Sequence, residues 1–184
     1  MTIPQHCYIA LLRGINVGGH SVTRMSELRG LFESLGLTEV VTYIQSGNVL
    51  FTSKDGDRDH LEQLLEKKLE STFGYQVPVF IFTRKQLMDA AAHNPFDPER
   101  KDKEQRCHLM FLSDEPDPDH CTALMAMEGK EYKFNIHGKV LYYAYPKEFE
   151  GPARRTINFE KVLGVTGTAR TWKVVNKLIE LSCK

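Results

Sequence analysis

The sequence lacks an apolar segment long enough to cross a membrane. Its apolar runs at residues 7–12 and 77–82 are short, and Pro78 interrupts the second, whereas a spanning helix needs about 20 apolar residues. Residues 1–6 contain no Lys or Arg, and residues 7–12 are too few for the apolar region of a secretory signal. We therefore expect a cytoplasmic protein that does not associate with membranes.

An excess of charge of one sign is also missing. The 184 residues include 24 Lys and Arg and 24 Asp and Glu, so no overall field marks the protein as a binder of nucleic acid or membranes. Residues 147–184 are a local exception, because eight basic side chains stand there against four Glu. This local excess is a weak indication of an anionic partner.

Cysteine is present but shows no paired spacing. The four cysteines include no C-x-x-C motif and lie mostly in apolar segments: Cys7, Cys107, Cys121 and Cys183. Paired cysteines at short spacing are typical of metal or redox sites, and disulfide frameworks are typical of small secreted domains. We expect buried free thiols in a reducing compartment.

Recognised catalytic and cofactor motifs are absent. The chain contains neither dinucleotide nor P-loop glycine fingerprints, and no G-x-S-x-G or H-E-x-x-H. Asp117, Asp119, His120 and Cys121 are metal-ligand residue types, but this pattern is more typical of a turn and helix start. We predict no catalytic residue, metal or cofactor, and leave open whether the protein is an enzyme.

What is present is a strand and helix pattern used twice. In the first half, strand signals at residues 7–12, 40–45, 49–52 and 77–82 alternate with helical periodicity that ends at Gly36 and Gly74. The order β-α-β-β-α-β predicts a ferredoxin-like α/β fold. Thr83 is a candidate N-cap of a further short helix that runs to about His93.

The pattern restarts after a polar connection. Residues 107–112 resemble residues 7–12, and the hairpin at residues 136–142 resembles that at residues 45–51. We therefore predict duplicated ferredoxin-like units with two antiparallel or mixed sheets covered by helices. The predicted boundaries are residues 1–93, a connecting loop at 94–105, and 106–184. Residues 158–163 and 170–181 are expected to be helical, with no clear fourth strand in the second unit.

Two polar segments are expected to meet at one end of the first sheet. In a β-α-β-β unit, the loop after the first strand and the tip of the next hairpin lie at the same end. That end is also where α/β folds tend to bind ligands. The candidate ligand-binding residues of these segments are Arg13, Gly14, Asn16, Gly18, Gly19, His20, Gln45, Ser46 and Asn48.

These residues allow two interpretations. The glycines permit a phosphate to approach the backbone closely, while Arg13, Asn16 and His20 supply donors. The alternative is that the glycines form a compact turn, and that Gln45, Ser46 and Asn48 only end strands and cap a hairpin.

Arginines of the second half complete the predicted anion site. We expect Arg170 or the pair Arg154 and Arg155 to approach it. Thr168 is a candidate N-cap, which places Arg170 and Lys173 in a first helical turn. A cation there opposes the helix dipole unless an anion is bound.

Two other partner classes were weighed. An RNA-recognition module has the same strand order, and Tyr8 stands where a base could stack. The third strand, however, offers only Phe51 and lacks the expected basic and aromatic run. Nucleic acid is therefore an improbable but open partner. A structural protein that binds another protein chain is the main alternative to an anion-binding protein. The sequence does not predict the oligomeric state.

Four segments of the chain resemble a known bacterial family. They are residues 8–19, Met25 with Leu28 and Phe32, residues 42–51, and residues 168–172. Together they are similar to domain-of-unknown-function family 1697, although Thr171 stands where the family usually has Asn. The resemblance implies a duplicated α/β fold and carries no established activity, substrate or catalytic residue.

Overall fold

The computed structural model describes residues 5–16, 23–96, 105–129, 132–149 and 157–182. The chain divides into two compact units, of which the first comprises Met1–Met88 and Lys177–Lys184, and the second comprises Asp89–Asn176. The boundaries predicted at 93/94 and 105/106 stay predictions, because most of the connecting loop lies outside the described residues.

The first unit contains the ferredoxin-like sheet. Its strands pair antiparallel in the order β2-β3-β1-β4. In chain order its elements are β1 (His6–Leu12), α1 (Met25–Ser34), β2 (Thr38–Tyr43), β3 (Asn48–Ser53), α2 (Arg58–Phe73) and β4 (Val79–Phe82). Helix α3 (Arg84–Ala92) follows and contains the boundary at Met88. The predicted element order is confirmed.

Local sequence explains where these helices begin and end. Helix α1 buries Leu28, Leu31 and Phe32, which share one face at helical spacing. Asp57 caps α2 by accepting a hydrogen bond from the His60 N–H, and left-handed Gly74 follows its last residue.

Strand β1 is buried on both faces. Tyr8, Ala10 and Leu12 belong to the core beneath α1 and α2. Ile9 and Leu11 point to the opposite face and are also fully buried. Tyr8 is therefore a core residue, and its hydroxyl donates to the Gly56 carbonyl at 3.2 Å.

The second unit repeats this sheet with the order β6-β7-β5-β8. Strand β5 occupies the same position as β1, between the hairpin and the last strand, and its pairs are also antiparallel. Its elements are β5 (Gln105–Leu112), α4 (Pro118–Met125), β6 (Lys133–His137), β7 (Val140–Pro146), a 3-10 turn (Lys147–Phe149), α5 (Phe159–Leu163) and β8 (Gly167–Thr171). Helix α6 (Trp172–Leu181) follows and contains the second boundary, at Asn176. The two sheets confirm the predicted duplication.

The prediction for the last segment was wrong in one respect. Residues 167–171 form β8, so the second unit does have a fourth strand, and Thr168 and Arg170 are strand residues rather than a cap and a first helical turn. The dipole argument for Arg170 therefore fails. Pairing with β5 explains the strand, because Leu109 stands opposite Arg170 and Phe111 opposite Thr168.

The cysteine prediction is corrected at one position. Cys107 and Cys121 are free thiols, as expected, but Cys7 is disulfide-bonded. The prediction failed because sequence spacing says nothing about which thiols the fold brings into bonding distance. In the described part of the chain, no helix has the length and apolarity needed to cross a membrane.

Candidate functional site

The site begins where β1 leaves the sheet. The Leu12 N–H donates to the Gly47 carbonyl at 2.8 Å, and the Arg13 N–H donates to the Pro78 carbonyl at 2.9 Å. These bonds bring the loop after β1 to the tip of the β2–β3 hairpin and to the residue that precedes β4.

Gly47 makes the close approach of loop and hairpin possible. Its φ is +71°, and an added Cβ atom would lie 2.9 Å from the Leu12 Cβ and 3.3 Å from the Ile15 Cγ2. A side chain at this position would therefore be strained and would also push the hairpin tip away from β1.

Asn16 ties the two segments together through its side chain. Its Nδ2 donates to the Gln45 carbonyl at 2.9 Å and to the Thr23 carbonyl at 3.1 Å. Its Oδ1 accepts the Thr23 N–H at 2.7 Å. Both amide hydrogens are thus used within the protein. The side chain of Asn16 therefore links residue 16 to Thr23 and to the hairpin tip.

Asn48 performs a similar task inside the hairpin. It is fully buried, and its Nδ2 donates to the Tyr43 carbonyl at 3.0 Å and to the Ser46 Oγ at 2.9 Å. These bonds hold the four-residue turn at residues 44–47 in one conformation. Of the predicted hairpin residues, Gln45 alone has an exposed side chain in the structure.

Left-handed backbone is concentrated at this end of the sheet. Gly14 has a φ of +74°, Asn16 of +57° and Ile44 of +48°. Ile44 is the unexpected member, because a β-branched residue is strained in this region and its side chain is 48% exposed. No feature of the sequence indicates this conformation, since isoleucine ordinarily favours extended backbone.

Three successive backbone donors belong to the two left-handed loop residues and to Ile15 between them. Within the described part of the chain, no acceptor binds the N–H groups of Gly14, Ile15 and Asn16. Gly14 is exposed, whereas Ile15 is buried. We call these three groups the loop donors. The sequence indicated side-chain donors and glycines as contacts but gave no signal for the Ile15 N–H.

The second unit shows that the scaffold does not require this conformation. Its Leu112 N–H donates to the Lys139 carbonyl at 2.9 Å, and its Ser113 N–H donates to the Thr166 carbonyl at 2.8 Å. These two bonds are the counterparts of those made by Leu12 and Arg13. No residue from 113 to 117 has a positive φ. The left-handed residues after β1 are therefore a feature of the first unit alone.

The other predicted site residues do not belong to the described part of the first unit. Gly18, Gly19, His20, Arg154 and Arg155 lie outside the described residues. Arg170 is a buried member of the second unit, and its Nη1 donates to the Thr168 Oγ1 and to the Ala169 carbonyl, both at 2.8 Å. Burial lowers the pKa of Arg170 to about 10, so its guanidinium stays protonated at neutral pH.

The arrangement provides hydrogen-bond donors on a loop that is tied to the hairpin tip. The loop supplies hydrogen-bond donors from the backbone, Asn16 bonds the loop to the hairpin, and Asn48 fixes the hairpin turn. Among the described residues, no three metal-ligating side chains form a group that could hold an ion. Asp117, considered above as a ligand, caps α4 by accepting the Asp119 N–H.

Comparison with known proteins gives a family but no activity. A solved structure, described as that of conserved bacterial protein SP0830 from Streptococcus pneumoniae, has a TM-score of 0.72 to this chain. The two sequences are 23% identical, and the match covers 97% of this chain and 98% of the other. This likeness shows the fold alone. No curated protein matches the sequence.

The family model described as "Protein of unknown function (DUF1697)" matches residues 6–142. That range includes β1, both polar segments of the candidate site and the sheet of the second unit as far as β7. It confirms the resemblance seen in the sequence motifs. The chain belongs to the DUF1697 family of proteins of unknown function.

Proposed function

We propose that this protein binds a small anionic ligand, such as the phosphate group of a nucleotide, at the loop after β1. The observation that carries the proposal is the run of three backbone N–H groups, at Gly14, Ile15 and Asn16, that meet no acceptor among the described residues. Successive N–H groups in backbone that changes handedness form concave anion-binding sites known as nests. The ligand would be held by the backbone, with side chains in a supporting role.

The position and stiffness of the loop support this proposal. The loop donors follow the carboxyl end of β1, where α/β folds commonly bind ligands, and the exposed Gly14 has no side chain to keep a phosphate away. The Asn16 bonds to Thr23 and Gln45 fix the loop before a ligand arrives. A pre-organised loop loses less conformational entropy on binding.

The remaining predicted residues belong to the proposal as side-chain contacts. Arg13 and Gln45 border the loop donors in the chain and at the hairpin tip, so they are the described candidates for contacts with the rest of the ligand. Gly18, Gly19, His20, Arg154, Arg155 and Arg170 are proposed contacts on sequence grounds. A location in the bacterial cytoplasm is proposed too, on sequence grounds and from the bacterial source of the similar structure.

Glycine substitution at matched positions tests the proposal. Gly14 and Gly36 have φ values of +74° and +78°, and a Cβ atom added at either would meet no atom within 4 Å. Alanine should therefore cause similar backbone strain at both, about 1–2 kcal/mol. Only Gly14→Ala would also turn the loop donors away from a ligand.

We expect inorganic phosphate and ADP, measured by calorimetry, to bind the wild type and Gly36→Ala alike. Gly14→Ala should bind them at least about tenfold more weakly, which corresponds to 1.4 kcal/mol. Equal affinity of the two variants would contradict the proposal. So would a wild type that gains no thermal stability with phosphate or ADP, since a ligand at 100 times its Kd adds about 2.7 kcal/mol.

A further inference from the structure

The second unit has a groove at the place that corresponds to the loop after β1 in the first unit. It lies between α4 and the β6–β7 hairpin and has a volume of about 460 Å³. Pro116, Pro118, Cys121, Met125 and Ile136 supply its apolar lining. Grooves of this size, lined mainly by apolar atoms, are typical of binding sites.

Methionine is prominent on this surface. Met125 is 39% exposed within the groove, and Met127, just beyond the end of α4, is 48% exposed. Methionine is flexible and polarizable, which suits a surface that adapts to the apolar side chain of a partner. Exposed methionines at neighbouring positions also leave apolar area that a partner can cover.

The segment on the α4 side of the groove is acidic. Residues 113–129 contain Asp114, Glu115, Asp117, Asp119 and Glu128 but no Lys or Arg. Lys139 forms an ion pair with Asp114, with 3.1 Å between its Nζ and the Asp114 Oδ1. Glu115 lines the groove itself. A field of this sign favours a cationic partner and repels an anionic one.

We infer that this groove is a docking surface for a cationic amphipathic helix of another protein. An apolar side chain of the helix packs between Met125 and Ile136, and its Lys or Arg residues face the carboxylates of residues 114–119. Apolar grooves that take an amphipathic helix recognise apolar anchors at helical spacing. The combination of methionines with an acidic border selects helices whose polar face is basic.

Cys121 provides a reporter inside the groove. It is a partly exposed free thiol, and burial, followed by the charges of Asp117 and Glu115, raises its pKa. A docked helix should cover it and slow its alkylation. Cys107 is also a free thiol but is buried, so peptide mapping by mass spectrometry can use it as an internal reference.

The experiment compares two synthetic helical peptides of about four turns that share one leucine face. One carries Lys and the other Glu at every polar position. We expect the Lys peptide to bind the full-length protein, with an affinity that falls as salt is added, and to slow alkylation of Cys121. The Glu peptide should do neither. Absent binding of the Lys peptide, or equal binding of both, would overturn the inference.

Three variants decide whether binding occurs in the groove. Met125→Gln should weaken the Lys peptide by about tenfold or more, and Glu115→Gln should weaken it and reduce its salt dependence. Met88→Gln is the matched control, since Met88 is 44% exposed on α3 and does not line the groove. An equal effect of Met88→Gln and Met125→Gln, or no effect of Met125→Gln, would show that the peptide binds elsewhere and contradict the inference.

Discussion

At the scale of single residues, glutamates on helices bind N–H groups at one edge of each sheet. Glu62 and Glu66 of α2 accept the N–H groups of Ile81 and Val79 in the edge strand β4, at 2.6 and 2.9 Å. Glu160 of α5 accepts the Gly167 N–H of β8 at 2.8 Å. Unpaired edge donors invite pairing with other chains, and these carboxylates occupy them.

Glu62 gives this arrangement a pH dependence. Burial raises the pKa of its carboxyl above the usual value, and the bond from the Ile81 N–H opposes that shift only in part. The ionised carboxylate is therefore less favourable in the folded protein than in the unfolded chain. The protonated Glu62 carboxyl therefore contributes stability that is present below the unfolded pKa and is lost as pH rises through the folded pKa.

Glu62→Gln should consequently become more stable relative to the wild type as pH rises from about 4 to about 7, the range above the ordinary pKa of glutamate. The amide oxygen can still accept the Ile81 N–H, but the side chain no longer ionises. Urea unfolding at each pH measures the difference.

Glu62→Ala is the comparison, because it removes the acceptor from a buried N–H and should cost about 1–3 kcal/mol. If Glu62→Gln instead becomes less stable relative to the wild type as pH rises, the assignment is refuted.

At the scale of elements, the contact between a hairpin tip and the end of the central strand recurs in both units. The Leu12 N–H binds the Gly47 carbonyl in the first, and the Leu112 N–H binds the Lys139 carbonyl in the second. This contact fixes the hairpin against the strand that carries the loop. In the first unit it also places Gln45 within reach of the Asn16 side chain.

Gly47→Ala should therefore lower the free energy of unfolding more than Gly36→Ala does. Both glycines are left-handed, but only at Gly47 would the added Cβ meet Leu12 at 2.9 Å. Backbone strain alone is about 1–2 kcal/mol, and the displacement of the hairpin adds to it. Chemical denaturation of the two variants measures the difference, and equal losses would show that the close approach is unimportant.

Element types were predictable where local signals agreed with tertiary pairing. Helix α1 has apolar residues at helical spacing and β1 is a continuous apolar run, so sequence alone sufficed. The prediction missed strand β8 because residues 167–171 are polar and have no alternating pattern. They become a strand only through pairing with β5. Tertiary context overrides weak local preference in such cases.

The candidate site was predictable in location but not in its donors. Topology indicated that the loop after β1 meets the hairpin tip, and the Asn16 bond to Gln45 joins them. The sequence could not indicate that the side-chain amides of Asn16 and Asn48 donate to backbone carbonyls. Asparagine suits ligand binding and turn capping equally, so the residue type does not distinguish them. The left-handed conformation of Ile44 could not be predicted, because isoleucine ordinarily favours extended backbone.

At the scale of the whole molecule, one sheet topology appears twice with different loops after its central strand. The first unit has left-handed backbone there, and three N–H groups that meet no acceptor in the described ranges. The second has an acidic segment beside an apolar groove. Since the sheets and the hairpin contacts are the same, the difference between the loops is not required for folding. The proposed partners differ accordingly: an anion at the loop after β1, and a cationic helix at the groove beside the loop after β5.

The most direct test of the anion site is NMR titration of the backbone amides with inorganic phosphate. The account predicts saturable shifts at Gly14, Ile15 and Asn16, since their N–H groups would bind the anion. Ser113 and Asp114, at the corresponding place in the second unit, should stay unchanged. Unmoved signals at residues 14–16, or equal shifts at residues 113–114, would contradict the central claim.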